Sequence, residues 1–198
     1  MKELNSVCVF AGSSAGRRPE YLAAARMLGG VLAAHDVTLV YGGASVGLMG
    51  AVADGVIDAG GRAVGVLPEV LSSVELAHPG LDELEIVPTM HDRKARMAEL
   101  SDCFVTLPGG LGSLEELFEA WTWTQLGIHS KPLGILNVAH FYDGLLSFLD
   151  HLVEEGFVKQ IHRNSLVASD DAESLLQSLK EVEIVQTGKW VDAIPGAD

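Results

Sequence analysis

CFVTLPGGLGSLEELFEAW, residues 103–121, passes from an apolar run through a glycine turn into a helical pattern. Cys103–Leu107 reads as a strand covered on both faces, because its apolar residues run on rather than alternate. Pro108, Gly109, Gly110 and Gly112 supply the turn. Leu114, Leu117, Phe118 and Trp121 then recur on one helical stripe. A buried strand feeding an amphipathic helix through a short loop is the repeating unit of a parallel sheet.

The same unit recurs in both directions along the chain. Strands are expected at 7–10, 37–41, 63–67, 84–87, 103–107, 132–136 and 165–168. Helices are expected at 19–34, 47–59, 90–101, 113–126, 141–156 and 170–181. Pro19 suits the first turn of the first helix and Gly156 the end of the fifth. This alternation implies an α/β fold: a doubly wound, Rossmann-like, mostly parallel sheet flanked by helices, with right-handed crossovers. With 198 residues the chain has the length of one domain. We assign residues 1–181 to that domain and 182–198 to a polar C-terminal tail.

Composition narrows the partners. Thirteen Lys and Arg against 27 Asp and Glu give a formal charge of −14. Such a chain lacks the positive field behind non-specific nucleic-acid affinity, and it is equally unsuited to anionic membranes. No nucleic acid or membrane partner is expected, so any anionic ligand must be held by local dipoles or a few basic residues. Cys8 and Cys103 lie in apolar runs and read as buried thiols. With no leader-like N-terminus and no long apolar run, a soluble, cytoplasmic protein is expected.

Glycine makes up 22 residues of the chain, well above the usual share of about 7%. The excess gathers in three loops that follow strands: AGSSAG (11–16), GGASVGLMG (42–50) and PGGLGS (108–113). Ligands in doubly wound folds sit outside the carboxyl ends of the strands. Each loop leads into a helix, an arrangement that turns backbone N–H groups toward an anion. Gly43–Gly47 and Gly12–Gly16 both match G-x-S-x-G. Neither leaves room upstream for the rest of a hydrolase elbow. The dinucleotide fingerprint and the P-loop Lys are absent, and the seven histidines show no ligand spacing, so no metal is expected.

Two segments carry chemistry. Ser113 and Glu116 match a capping box, with Ser113 opening the helix. Gly109, Gly110 and Gly112 in front exceed what a cap needs and suit a phosphate cradle. In MHDRKARMAEL (90–100) Arg93 falls on the stripe of Met90, Met97 and Leu100. An inward guanidinium needs an anion, either a carboxylate of the protein or a ligand phosphate.

PGGLGSLEE resembles the PGGxGTxxE signature of the Lonely Guy family of cytokinin-activating phosphoribohydrolases. MHDRKARM resembles that family's arginine-bearing helix, and YGGASVGLMG its second glycine loop. The likeness spans about residues 5–180. Members have often carried the label lysine decarboxylase, yet nothing here suggests a pyridoxal-phosphate site, and no cofactor is expected. The resemblance implies hydrolysis of the N-glycosidic bond of an N6-modified adenosine 5′-monophosphate, giving free base and ribose 5-phosphate. It makes Arg93 and Glu116 the catalytic pair. Gly109, Gly110, Gly112 and Ser113 would hold the phosphate, with Lys94, Glu75, Ser13 and Gly43 also at the substrate. Ser113 replaces the usual Thr and keeps its hydroxyl. Ala44 replaces a third glycine and would narrow a ligand's approach to the second loop. The rivals are a general purine-nucleotide nucleosidase and a non-catalytic nucleotide or cofactor carrier. The family also implies a homodimer or higher homo-oligomer, and Trp123, off the buried stripe, suggests a further covered face.

Overall fold

The structure is a computed structural model that describes residues 3–72 and 77–184. Seven parallel strands form one sheet: β1 (Ser6–Phe10), β2 (Thr38–Tyr41), β3 (Ala63–Pro68), β4 (Glu83–Val87), β5 (Cys103–Thr106), β6 (Leu133–Leu136) and β7 (Leu166–Ser169). Their order is β4-β3-β2-β1-β5-β6-β7. The chain winds outward one way through β4, then returns to the centre and winds the other way. The reversal lies between β1 and β5, paired from Val7↔Cys103 to Phe10↔Thr106. A crevice opens at the carboxyl ends of such a pair, so the fold itself marks the site.

Among the described residues eight α-helices cover the sheet: α1 (Pro19–Ala34), α2 (Gly47–Asp58), α3 (Glu69–Ser72), α4 (Met90–Glu99), α5 (Leu111–Gln125), α6 (Asp143–Glu154), α7 (Gln160–Arg163) and α8 (Ala172–Glu181). One core packs α1, α2 and α8 on one face, around Leu28, Leu39, Val52 and Leu175. The other packs α4 and α5 on the opposite face, around Phe104, Met97, Leu117 and Trp121. The two short helices α3 and α7 were not expected from the sequence. Asp171 caps α8 by accepting from the Ser174 N–H, which moves that helix's start to Ala172.

The start of α5 corrects the capping-box expectation. The helix begins at Leu111 with Gly110 as its N-cap, and no side chain caps it. Ser113 is therefore the third residue of the helix, and Glu116 lies in its second turn, three residues too deep to reach back to the N-cap. The loop sets this start. Gly12 N–H donates to the Pro108 carbonyl, and Leu114 N–H donates to the Gly110 carbonyl.

Helices α1 and α2 cross at glycine. A Cβ on Gly29 would lie 2.4 Å from the Val52 carbonyl oxygen and 2.6 Å from the Val56 nitrogen. Alanine normally favours a helix over glycine by up to about 1 kcal/mol. Here the clash with backbone outweighs that gain. Gly29→Ala should lower stability by about 1–3 kcal/mol, the usual cost of overpacking, in urea unfolding. An unchanged or raised midpoint would contradict this contact.

Candidate active site at the switch point

Of the three glycine loops, the third runs directly into an uncapped helix start. The first turn of α2 is satisfied from within, since Leu48 N–H donates to the Gly12 carbonyl at 2.9 Å. Helix α1 opens on Pro19, which has no N–H. In α5 the N–H groups of Leu111, Gly112 and Ser113 precede the first intrahelical bond and lack a side-chain cap. They carry the positive end of a fifteen-residue helix.

These donors line a cavity of about 320 Å³ together with Gly12, Ser13, Met49, Met90, Arg93 and Glu116. Arg93 leaves only 8% of its surface exposed. One terminal nitrogen lies 3.8 Å from a Glu116 carboxylate oxygen, and Nε is buried without a hydrogen-bond partner. A buried guanidinium with one long ion pair and an orphan donor is under-satisfied. Both alternatives open for Arg93 in the sequence thus hold in part: it has a protein carboxylate nearby and spare capacity for an anion.

Gly42 explains how Arg93 fits. A Cβ on Gly42 would stand 2.1 Å from the Arg93 terminal nitrogen, so a larger residue there would push the guanidinium off its path over the end of β2. Sequence reasoning singled out the neighbouring Gly43 instead. Gly43 faces away from this cavity: its carbonyl accepts the His78 N–H, and its Cα packs near Gly65. Ala44 is likewise fully buried and bridges to Ala77, so it does not narrow the cavity.

Glu116 is 12% exposed at its side chain. Burial pushes its carboxyl above the ordinary range; Arg93 and Lys94 pull it back, while Glu115 and Glu119 push further up. A carboxylate raised in this way takes up a proton at a higher pH than a surface glutamate does.

The remaining predicted residues divide. Ser113 is buried beside Gly109, where a Cβ would lie 2.2 Å from its hydroxyl oxygen. Gly110, Gly112 and Ser13 line the cavity. Lys94 does not: it is buried, with Nζ 2.5 Å from Glu115 and 2.9 Å from Glu119. Its ammonium therefore ties α4 to α5 and sets the spacing of Arg93 from Glu116. Glu75 lies outside the described residues.

An uncapped helix N-terminus at the switch-point crevice, beside a buried Arg–Glu pair, defines an α/β protein whose crevice sets backbone N–H groups and a guanidinium against a carboxylate. Comparison with known proteins narrows this class to a family. A family profile described as "Possible lysine decarboxylase" matches residues 49–179. A probable cytokinin riboside 5′-monophosphate phosphoribohydrolase of Oryza sativa subsp. japonica is 51% identical over 175 residues, covering 88% of this chain and 77% of that protein. A cytokinin riboside 5′-monophosphate phosphoribohydrolase of Arabidopsis thaliana is 48% identical over 175 residues, covering 88% and 81%. This chain belongs to that family, the Lonely Guy phosphoribohydrolases.

Solved structures resemble it in fold alone. The molybdenum cofactor carrier protein of Chlamydomonas reinhardtii matches with a TM-score of 0.69 at 21% identity, over 90% of this chain and 98% of that one. No helix among the described residues is long and apolar enough to cross a membrane.

Proposed function

We propose that this protein hydrolyses the N-glycosidic bond of N6-modified adenosine 5′-monophosphates, releasing free base and ribose 5-phosphate. The observation that carries the reading is the under-satisfied Arg93, held 3.8 Å from a buried carboxylate beside an uncapped helix start. The relatives' activity supports reading that anion-and-carboxylate pair as a nucleotide site.

The chain's own groups suit the reaction. The α5 N–H groups and Gly110, Gly112 and Ser113 hold the 5′-phosphate, which fixes the ribose. C1′–N9 cleavage builds positive charge on the sugar, and the Glu116 carboxylate lies where it stabilises that charge. Water adds to C1′ and loses a proton to Glu116. The bonding pair leaves on the base, which takes up one proton in balance. Arg93 orients Glu116 and supplies positive charge to the nucleotide.

If the phosphate is gripped this way, kcat/KM for the nucleoside should fall at least about 10²-fold below that for the 5′-monophosphate. A set of charge-assisted hydrogen bonds is lost with the phosphate. Equal turnover of the two would overturn the phosphate assignment.

We also propose that the protein works as a homodimer or higher homo-oligomer in a reducing cytoplasm, where its two buried free cysteines stay reduced. Trp123 and Ile128 border a further cavity of about 520 Å³ between α4 and α5, and Ile128 is 65% exposed. Light scattering should give at least twice the 21.0 kDa chain mass at micromolar concentration. A monomer mass would overturn this.

A further inference from the structure

We propose that Glu119 and Lys94 are positioning residues for the reaction, holding the Glu116 carboxylate from behind through a single water molecule; this rests on the hydrolase reading of the crevice. Glu116 stands between two cavities. The crevice cavity, with Arg93 and Ser113, lies on one side. On the other is a cavity of about 10 Å³ among Phe10, Lys94, Phe104, Glu116, Glu119 and Trp123. Among the described residues Glu116 alone lines both. The small cavity is about the least room that holds one water, and a buried water takes about three polar partners. Glu116, Lys94 and Glu119 supply them.

Helix spacing produces this arrangement. Glu119 lies one turn beyond both Glu115 and Glu116 on α5, so it neighbours each of them. Three carboxylates this close need cations, and α4 supplies Arg93 and Lys94 in succession. Arg93 lines the crevice, with a terminal nitrogen 3.8 Å from Glu116. Lys94 lines the rear cavity, with Nζ 2.9 Å from Glu119 and 2.5 Å from Glu115. An ammonium has three N–H donors, so one is left for that cavity. Burial pulls the Lys94 ammonium toward neutrality, and its two carboxylate partners more than reverse this, so it stays charged. Cys8 on β1 is also within electrostatic reach of Glu116, and burial holds its thiol neutral. Phe10, Phe104 and Trp123 wall off the rest of the cavity, and a dry wall strengthens each polar contact inside it. Glu116 is thus held from two sides, by Arg93 at the crevice and by Lys94 at the rear. Glu119 keeps Lys94 there. Without it the ammonium has only Glu115, which is more than half exposed and lines the crevice cavity instead, so it would be drawn out of the rear cavity.

Two variants and a crystal structure test this. Glu119→Ala should lower kcat about ten-fold, with KM for N6-isopentenyl-AMP within about two-fold, because the crevice contacts are untouched. Glu119→Gln, whose amide oxygen still accepts from Lys94, should restore most of that kcat. It also removes a negative charge beside Glu116, so the Glu116 carboxyl should titrate at least about half a pH unit lower. Two readouts follow that carboxyl: the acid limb of kcat/KM, and carbon-13 NMR of the glutamate side chains, which needs no turnover. The crystal structure of the wild type should show one ordered water bonded to Glu116, Lys94 and Glu119. Glu119 is partly exposed, so both variants should fold, as circular dichroism would verify. Full kcat in Glu119→Ala, equal losses in both variants with an unmoved titration, or a rear cavity without water overturns the proposal and leaves the hydrolase standing. A titration that shifts in a protein without turnover upholds the rear contact and overturns the hydrolase reading. An unmoved titration in a protein without turnover overturns both.

Discussion

Glu116→Gln should cut kcat by about 10²–10⁴, the range for removing a general base. The amide fills the same space but cannot take a proton from water or face a cationic sugar with full negative charge. Because Glu116 lies in the second turn of α5 and does not cap it, the helix start is untouched by the change. Stability moves in two directions. Arg93 loses its ion partner, which destabilises, while a buried carboxylate no longer has to stay ionised, which stabilises. A group whose folded pKa is raised contributes stability at low pH and loses it as pH rises through that value. The net change at pH 7 should stay within about 2 kcal/mol in urea unfolding.

The pH profile gives the same substitution a second signature. Burial raises the Glu116 carboxyl, and the reaction uses its ionised form. In the wild type the acid limb of kcat/KM should therefore lie above the ordinary glutamate value of about 4.3. In Glu116→Gln that limb should vanish. Glu115→Gln is the control: Glu115 is half-exposed and one of two partners of Lys94, so its loss should be milder. Near-normal turnover of Glu116→Gln would end the assignment of Glu116 as the base.

Arg93→Ala should match that loss in kcat/KM, about 10²-fold or more. Two functions go at once: the charge facing the nucleotide and the partner that draws the Glu116 carboxyl down. The remaining carboxylate then sits in the same burial with less opposing positive charge, so the acid limb should move to higher pH. Arg93→Lys should rescue little. An ammonium lacks the planar guanidinium, which here passes Gly42 with one terminal nitrogen toward Glu116 and keeps a further donor, Nε, for an anion. Full activity in Arg93→Ala would show that Glu116 acts without it.

The inner strands were legible because a parallel sheet buries both their faces, which runs such as SVCVF and AVGVLP satisfy, while the exposed edge strand β4 showed only as a short apolar run. The inward placement of Arg93 was legible as a charge on an apolar stripe, whereas Glu116 read from its spacing only as a cap, and its nearness to Arg93 comes from the packing of α4 on α5. What could not be read depended on packing between segments distant in sequence. The Ser113/Glu116 spacing obeyed local capping grammar, yet the Gly12–Pro108 backbone bond moved the helix start to Leu111. Lys94 looked free for substrate, yet the approach of α5 to α4 gave it Glu115 and Glu119. Gly42 was hidden beside Gly43, because only the folded path of Arg93 tells them apart.

The central claim is that this site breaks the bond between base and ribose of a nucleotide. Incubation with N6-isopentenyl-AMP, followed by chromatography of base and sugar phosphate, tests it most directly. The expected products are N6-isopentenyladenine and ribose 5-phosphate in equal amounts, formed by the wild type and lost in Glu116→Gln. Unchanged nucleotide, or the nucleoside with inorganic phosphate, would contradict it.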